Sequence, residues 1–392
     1  MKHTPHRLMA FVAALLCLAM AGCATNKPLA VAVPPGMFND ALFAPPGERI
    51  SADDVFALNE EMRRYVHEEI APRVRAAGPE RALLNALYAK SQLRLDYDAA
   101  MTRNAREAFA VRSGNCLSLV IMTAAFAREL NLSVRFHNVF AEETWDRSGD
   151  LYFFIGHVNL AIGAKPSSGW NGSFGVAWTT IDFLQGQDLK GQRLEVIEEP
   201  RIVAMYMNNK AAEALARGNI DDAYAWAREA IRHDRDFVAA YNTLGVAYQR
   251  RNALPESERV LRYALARESG NLHVMGNLAL VLKRLGRIDE SELMSAQLRR
   301  LQPVAPFAYF EQGMVAMQQR DYRKARALFE RELSRAADFH EFHFWLAIAQ
   351  FNLGETESAR EHLRLALVNS TTREQHQLYS AKLHKMEGPR AQ

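Results

Sequence analysis

Cys116, His157 and Asp182 are of residue types that acyl transfer uses. Cys116 is followed after 41 residues by His157, and after a further 25 by Asp182. In such a set a thiolate attacks a carbonyl carbon. An imidazole takes the thiol proton and returns it to the leaving amine, and a carboxylate on the other ring nitrogen fixes the tautomer. Cys116 lies in RSGNCLSL, between a Gly-Asn turn and an apolar run over 117–131 that reads as a buried helix. A helix start offers free N–H groups and the positive end of the macrodipole. Both favour a thiolate, and the Cys116 N–H points where an oxyanion would form.

Each residue also has a structural reading. A lone cysteine is often a small packing residue, a strand histidine is often structural, and Asp182 could cap a turn. His137 is the rival base. Glu142, Glu143 and Asp146, in an expected loop, are the rival acids. Asn159 shares the strand face of His157 and is a candidate support for its ring. Tyr97 and Arg112 are candidates for a second oxyanion donor. No Cys/His cluster has zinc spacing and no Gly-rich phosphate loop is present, so neither metal nor cofactor is expected.

The elements that must position these residues follow from pattern. Ser51-Ala-Asp-Asp reads as a helix cap, with Val55, Leu58, Met62 and Val66 at helical spacing. After the 117–131 helix the period changes. SVRFHNVFAE, DLYFFIGHVNLAIG and GVAWTTIDFL are rich in β-branched and aromatic residues and read as three or more antiparallel strands. Helices followed by strands give an α+β domain over 46–200.

From about residue 201 the strands stop and a 34-residue period begins. Ala211, Gly245, Ala279, Gly313 and Ala347 form one column of small residues, and Ala223, Ser257, Ser291, Ala325 and Ala359 form another. Gly218, Gly286 and Gly354 mark the turn between helices, with Asn252 and Arg320 in the other two copies. This period and the segment YNTLGVAY resemble tetratricopeptide (TPR) repeats, which places an all-α TPR solenoid of five repeats over 201–371 and a capping helix and tail over 372–392. The resemblance implies a groove for a protein or peptide partner, with Tyr241, Asn242, Tyr248, Asn277, Lys283, Tyr309 and Gln312 as candidate lining. Trp226 and Trp345 read as packing residues.

The N-terminus has a short basic region, an apolar run and LAMAGC. The last resembles a bacterial lipoprotein signal, with Met20 in place of the usual Leu. It implies a signal peptide over 1–22, an acylated Cys23 and a membrane anchor facing the periplasm. Ala24, which is not Asp, implies the outer membrane. Residues 23–45, with two Pro-Pro pairs, read as a linker on which Phe38, Leu42 and Phe43 are candidates to dock back. Without residues 1–22 the chain has 46 basic and 45 acidic side chains, which excludes the electrostatic footprint of a nucleic-acid binder.

The run TRNAREAFAVRSGNCLSL is similar to the nucleophile segment of bacterial transglutaminase-like proteins, a branch of the papain-like cysteine enzymes. Thr102, Ala105, Ala108, Phe109, Arg112, Gly114, Asn115 and Cys116 carry the match, and the likeness covers about 85–190. It implies a Cys116–His157–Asp182 triad and an envelope-anchored enzyme that hydrolyses a peptide or amide bond, or transfers the acyl group to an amine, with the repeats recruiting the substrate or a partner. The alternative is a lipid-anchored TPR scaffold whose catalytic fold is retired.

Overall fold

The first helix is set by Asn59, whose side chain accepts a hydrogen bond from Met62 N at 2.9 Å. The computed structural model describes residues 33–89, 92–93, 95–148, 151–165, 177–183 and 192–387, without the side chains of 141–155. Cys23 and the signal segment lie outside the described residues. Helix α1 (Glu60–Tyr65) continues through a π-helical turn at Val66–Ile70 into α2 (Ala71–Ala77). The expected cap at Ser51 is therefore corrected. Residues 51–58 are turn and coil, because the Val55 carbonyl accepts from Ala105 N at 3.0 Å while its side chain is fully buried.

Helix α3 (Pro79–Tyr88) follows, then a short strand β1 (Asp96–Tyr97). Helix α4 (Ala105–Val111) starts at a capping box in which Asn104 and Glu107 satisfy each other's backbone N–H groups. Strand β2 (Ser113–Gly114) pairs in parallel with β1, and helix α5 (Cys116–Glu129) follows directly. Helix α5 is buried from Cys116 to Ala127, as its nearly continuous apolar sequence requires.

Strands β3 (Leu132–Ser148), β4 (Leu151–Ala164), β5 (Thr179–Ile181) and β6 (Arg193–Ile197) form an antiparallel sheet in the order β5-β4-β3-β6. Glu142, Glu143 and Asp146 lie within β3 and not in a loop, because β3 shifts register between Val139 and Thr144 and then continues pairing to Ser148. Their side chains lie outside the description.

The solenoid has five helix pairs. They are α6 (Glu199–Ala216) with α7 (Ile220–His233), α8 (Val238–Arg250) with α9 (Leu254–Arg267), and α10 (Leu272–Arg284) with α11 (Ile288–Leu301). Then come α12 (Ala308–Gln318) with α13 (Tyr322–Leu333), and α14 (His340–Asn352) with α15 (Thr356–Val368). Helix α16 (Arg373–Glu387) covers the last pair through Tyr379, Leu383 and Met386.

Each column of small residues has a physical cause. A Cβ on Gly245 would stand 2.6 Å from Leu261 Cδ2, and one on Gly313 would overlap the Phe329 ring. Ser257 and Ser291 donate to the carbonyls of Gly245 and Ala279 at 2.7 and 2.8 Å, so the second column ties the paired helices together where it is not alanine. The turn column is left-handed in all five copies. Gly218, Gly286 and Gly354 have φ between 77° and 80°, while Asn252 and Arg320 reach 63° and 61°.

Residues from Met37 onward form one compact unit. Thr102 N donates to Glu213 Oε1 of α6 at 2.6 Å, and Ala99 N donates to the Thr371 carbonyl at the far end of the repeats at 2.8 Å. Arg373 lies 3.5 Å from Asp96. The stretch 96–102 thus touches both ends of the solenoid. Part of the expected linker is also engaged, since the Phe43 ring stacks on Tyr224 of α7 with centroids 3.8 Å apart.

Two stability predictions follow. A left-handed non-glycine residue costs about 1 kcal/mol, so Arg320→Gly should stabilise the chain by about that amount in denaturant unfolding, whereas Gly286→Ala should destabilise it similarly. The second concerns His340, His343 and His362 at the last repeat, whose pKa values burial pulls below the ordinary histidine value, His340 to about 4. A depressed histidine favours the neutral folded state, so its stabilisation is present above about 6.5 and is lost as pH falls toward 4. The loss for His340 is on the order of 3 kcal/mol at the acid end, and His340→Gln should flatten the fall in melting temperature over that window.

Candidate functional site

Asn115 starts α5 and determines where Cys116 stands. Its Oδ1 accepts from Ser118 N at 2.9 Å and from Ser118 Oγ at 2.7 Å, and its Nδ2 donates to Thr102 Oγ1 at 2.9 Å. Gly114 precedes it because a Cβ there would stand 2.6 Å from Ser118 Cβ. The Gly-Asn pair is therefore a close contact followed by a cap. Strand β1 braces the same turn, with Asp98 N donating to the Gly114 carbonyl at 3.0 Å, and the part-buried Asp98–Arg103 ion pair closes at 3.2 Å behind it. Arg103 N donates to Ser118 Oγ at 2.8 Å.

Cys116 is the first residue of α5, carries a free thiol and is buried. As at any helix start, the N–H groups of this first turn have no acceptor within the helix. Strand β4 brings His157 opposite Val139 and Asn159 opposite His137. Asp182 comes directly after β5 and meets His157 Nε2 with both carboxylate oxygens, at 2.9 and 2.8 Å. The other ring nitrogen is left for Cys116, which is near enough to act on the charge of the imidazole. Burial pulls the His157 pKa down, but the bonds to Asp182 and Cys116 and the negative charges of both outweigh it, so the pKa is raised to about 9. The imidazolium is thus favoured at neutral pH.

Asn159 does not hold the histidine ring as expected. Its Nδ2 donates to Asp182 Oδ2 at 2.9 Å, and its Oδ1 lies 3.0 Å from His137 Nδ1. Both ends of the amide are fixed, so Asn159 orients the carboxylate. His137, the rival base, is the far support of this chain. Tyr88 was not singled out in the sequence. Its hydroxyl donates to the Asp182 carbonyl at 3.0 Å, its ring packs on Phe183, and half of it is exposed beside the site. Only its place at the end of an amphipathic helix marked it. Burial, then the Asp182 charge, pushes its pKa up to about 12, so it stays a neutral donor.

Tyr97 stands opposite Gly114 in the β1–β2 pair, and Arg112 is an exposed left-handed C-cap of α4. Neither is placed as an oxyanion donor by any described contact. Among the described residues no group of three His, Cys, Asp or Glu could hold a metal ion.

The expected groove residues divide. Tyr241 and Tyr248 are fully buried; the Tyr241 hydroxyl donates to the Arg235 carbonyl at 3.0 Å, so Tyr241 is a packing residue, whereas Tyr248 is covered by Met37, Asn39 and Phe43 of the N-terminal stretch. Asn277 Nδ2 donates to Asn242 Oδ1 at 2.8 Å and links the second repeat to the third. Arg331 lies over the Tyr309 ring, 4.0 Å from its centroid. Lys283 and Gln312 are exposed. Trp226 is buried edge-on against Tyr206, as a packing residue should be.

Residues 310–374 match the tetratricopeptide repeat family model. No curated protein matches the chain. Solved structures similar to part of it include pilF of Pseudomonas aeruginosa, 21% identical over 49% of this chain and 88% of that one, with a TM-score of 0.28. A thermophilic TPR protein of Thermus thermophilus is 16% identical over 46% of this chain and 99% of that one, with a TM-score of 0.28. MamA is 16% identical over 42% and 91%, with a TM-score of 0.25. The C-terminal region of this chain carries tetratricopeptide repeats.

Proposed function

We propose that the chain is a cysteine acyl-transfer enzyme of transglutaminase-like type, acting on a peptide or amide bond, with its repeats engaging a protein partner or substrate. The observation that carries this reading is the bidentate contact of Asp182 with His157 Nε2, which leaves the other ring nitrogen open to the Cys116 thiol. In the proposed reaction the Cys116 sulfur bonds to the amide carbon and the carbonyl oxygen takes the negative charge beside the first N–H groups of α5. His157 then gives its proton to the departing amine as the C–N bond breaks. Water, deprotonated by His157, cleaves the thioester in hydrolysis, whereas an amine takes the acyl group in transamidation. Hydrolysis is the simpler reading because water needs no second binding site.

A second reading, a protein-binding scaffold with a retired catalytic fold, draws support from the match of residues 310–374 to tetratricopeptide repeats. Alkylation of Cys116 by iodoacetamide separates the two. For the enzyme, His157→Ala should slow the reaction at pH 7 by roughly tenfold or more, and Asn159→Ala should slow it less while removing part of the rise in the His157 pKa. Native and His157→Ala chains with the same rate would leave the scaffold.

The proposed address is the bacterial envelope, anchored at Cys23 and facing the periplasm, with the outer membrane as destination. Metabolic labelling with a fatty-acid probe should mark the native chain and not Cys23→Ser. Label retained in that variant would exclude this anchor.

A further inference from the structure

Residues 37–48 have almost no structure of their own, only one turn of 3-10 helix at Asp40–Leu42. A stretch this short cannot hold a shape in isolation, so the surface beneath it determines its course. That surface is the second helix of the first repeat and the corner of the second. It includes Tyr248, at the end of the first helix of the second repeat and one of the expected groove residues.

The surface holds the segment in two ways. It binds main-chain groups at intervals: Tyr248 Oη accepts from Asn39 N at 2.8 Å and donates to the Met37 carbonyl at 3.0 Å. Asp221 accepts from Ala44 N at 3.0 Å, and Asp222 accepts from Gly47 N at 2.6 Å. It also selects side chains. The Tyr224 hydroxyl donates to Asp40 at 2.8 Å, and Arg228 pairs with the same carboxylate. Phe43 lies flat on Tyr224, and Arg251 stands over the Phe43 ring, 4.9 Å from its centroid. Trp226 Nε1 donates to Glu48 at 2.7 Å. Main-chain clamps with an acidic and an aromatic anchor three residues apart are how a surface recognises an extended peptide by sequence.

We infer that this face of repeats 1 and 2 is a peptide-binding site for extended segments with an acid three residues before an aromatic and a second acid five residues after it, and that the chain fills the site with its own residues 37–48. A partner segment of this pattern binds by displacing them. Covalent attachment holds the internal segment at an effective concentration in the millimolar range, so an external peptide of equal intrinsic affinity binds the native chain far more weakly than a chain whose segment has lost its anchors.

The probe is a fluorescein-labelled peptide with the sequence of residues 37–48, followed by anisotropy against the full chain. The Asp40→Ala, Phe43→Ala chain should bind it with micromolar affinity, and the native chain roughly a hundredfold more weakly. Adding Tyr224→Ala and Arg251→Ala to the opened chain should remove binding. An opened chain that melts like the native one yet fails to bind the probe at millimolar concentration would overturn the inference and leave the segment as packing alone. Equal binding by the opened chain and its Tyr224→Ala, Arg251→Ala form would do the same. If the double variant melts early, Asp40→Ala alone takes its place with the same outcomes. None of these residues touches Cys116, His157 or Asp182 by any described contact, so the result does not depend on catalysis.

Discussion

The amide of Asn115 is the constraint on which the site and its attachment to the repeats both depend. One end caps α5 through Ser118, and the other end bonds Thr102. Thr102 Oγ1 also accepts from Asn209 at 3.2 Å, and Thr102 N reaches Glu213, both on the first helix of the solenoid. Glu213 is half-buried there, and desolvation raises its pKa despite the Thr102 N–H that partly offsets the cost. One side chain therefore sets where Cys116 begins its helix and how that helix meets the repeats. The helix-and-strand region before residue 200 and the solenoid share part-buried polar bonds, so cutting the chain near residue 200 would leave Thr102 without its α6 partners.

The solenoid is built by volume exchange at fixed positions. Where a large Leu261 or Phe329 projects from one helix, its partner helix carries glycine. Where the second column has serine, the hydroxyl returns a hydrogen bond to the carbonyl of the first column. This pairing holds each repeat as a unit, and α16 covers the apolar face that the last pair would otherwise expose.

The repeats were legible because one spacing constraint recurs five times, and even the non-glycine turns at Asn252 and Arg320 could be placed by phase alone. The helix before them was misread, since Ser51 is a good cap by type whereas the chain uses Asn59. Nothing local reveals that Val55 is committed to a bond with Ala105, fifty residues away. At the candidate site the sequence offered a thiol, an imidazole and a carboxylate in order, and the strand register puts His157 and Asp182 in contact. Their chemical role stays with the proposal. The object held by Asn159 was not legible, because sharing a strand face with His157 does not say which neighbour the amide will meet. Phe43 was expected to dock and does, but what residues 37–48 dock on was hidden for a related reason. Their partners lie about 180 to 210 positions downstream, and Pro-Pro pairs look the same in a free linker and in a docked one.

The contacts of Ala99 with Thr371 and of Asp96 with Arg373 give the solenoid a mechanical character. A stack of repeats fixed at one end can flex like a spring, with small rotations adding along its length. Here the far end is tied back to the same short stretch that braces the turn before Cys116. The arc is a strung bow with residues 96–102 as part of the string. A change in pitch would move Thr371 and Arg373 away from Ala99 and Asp96, so these two contacts oppose it.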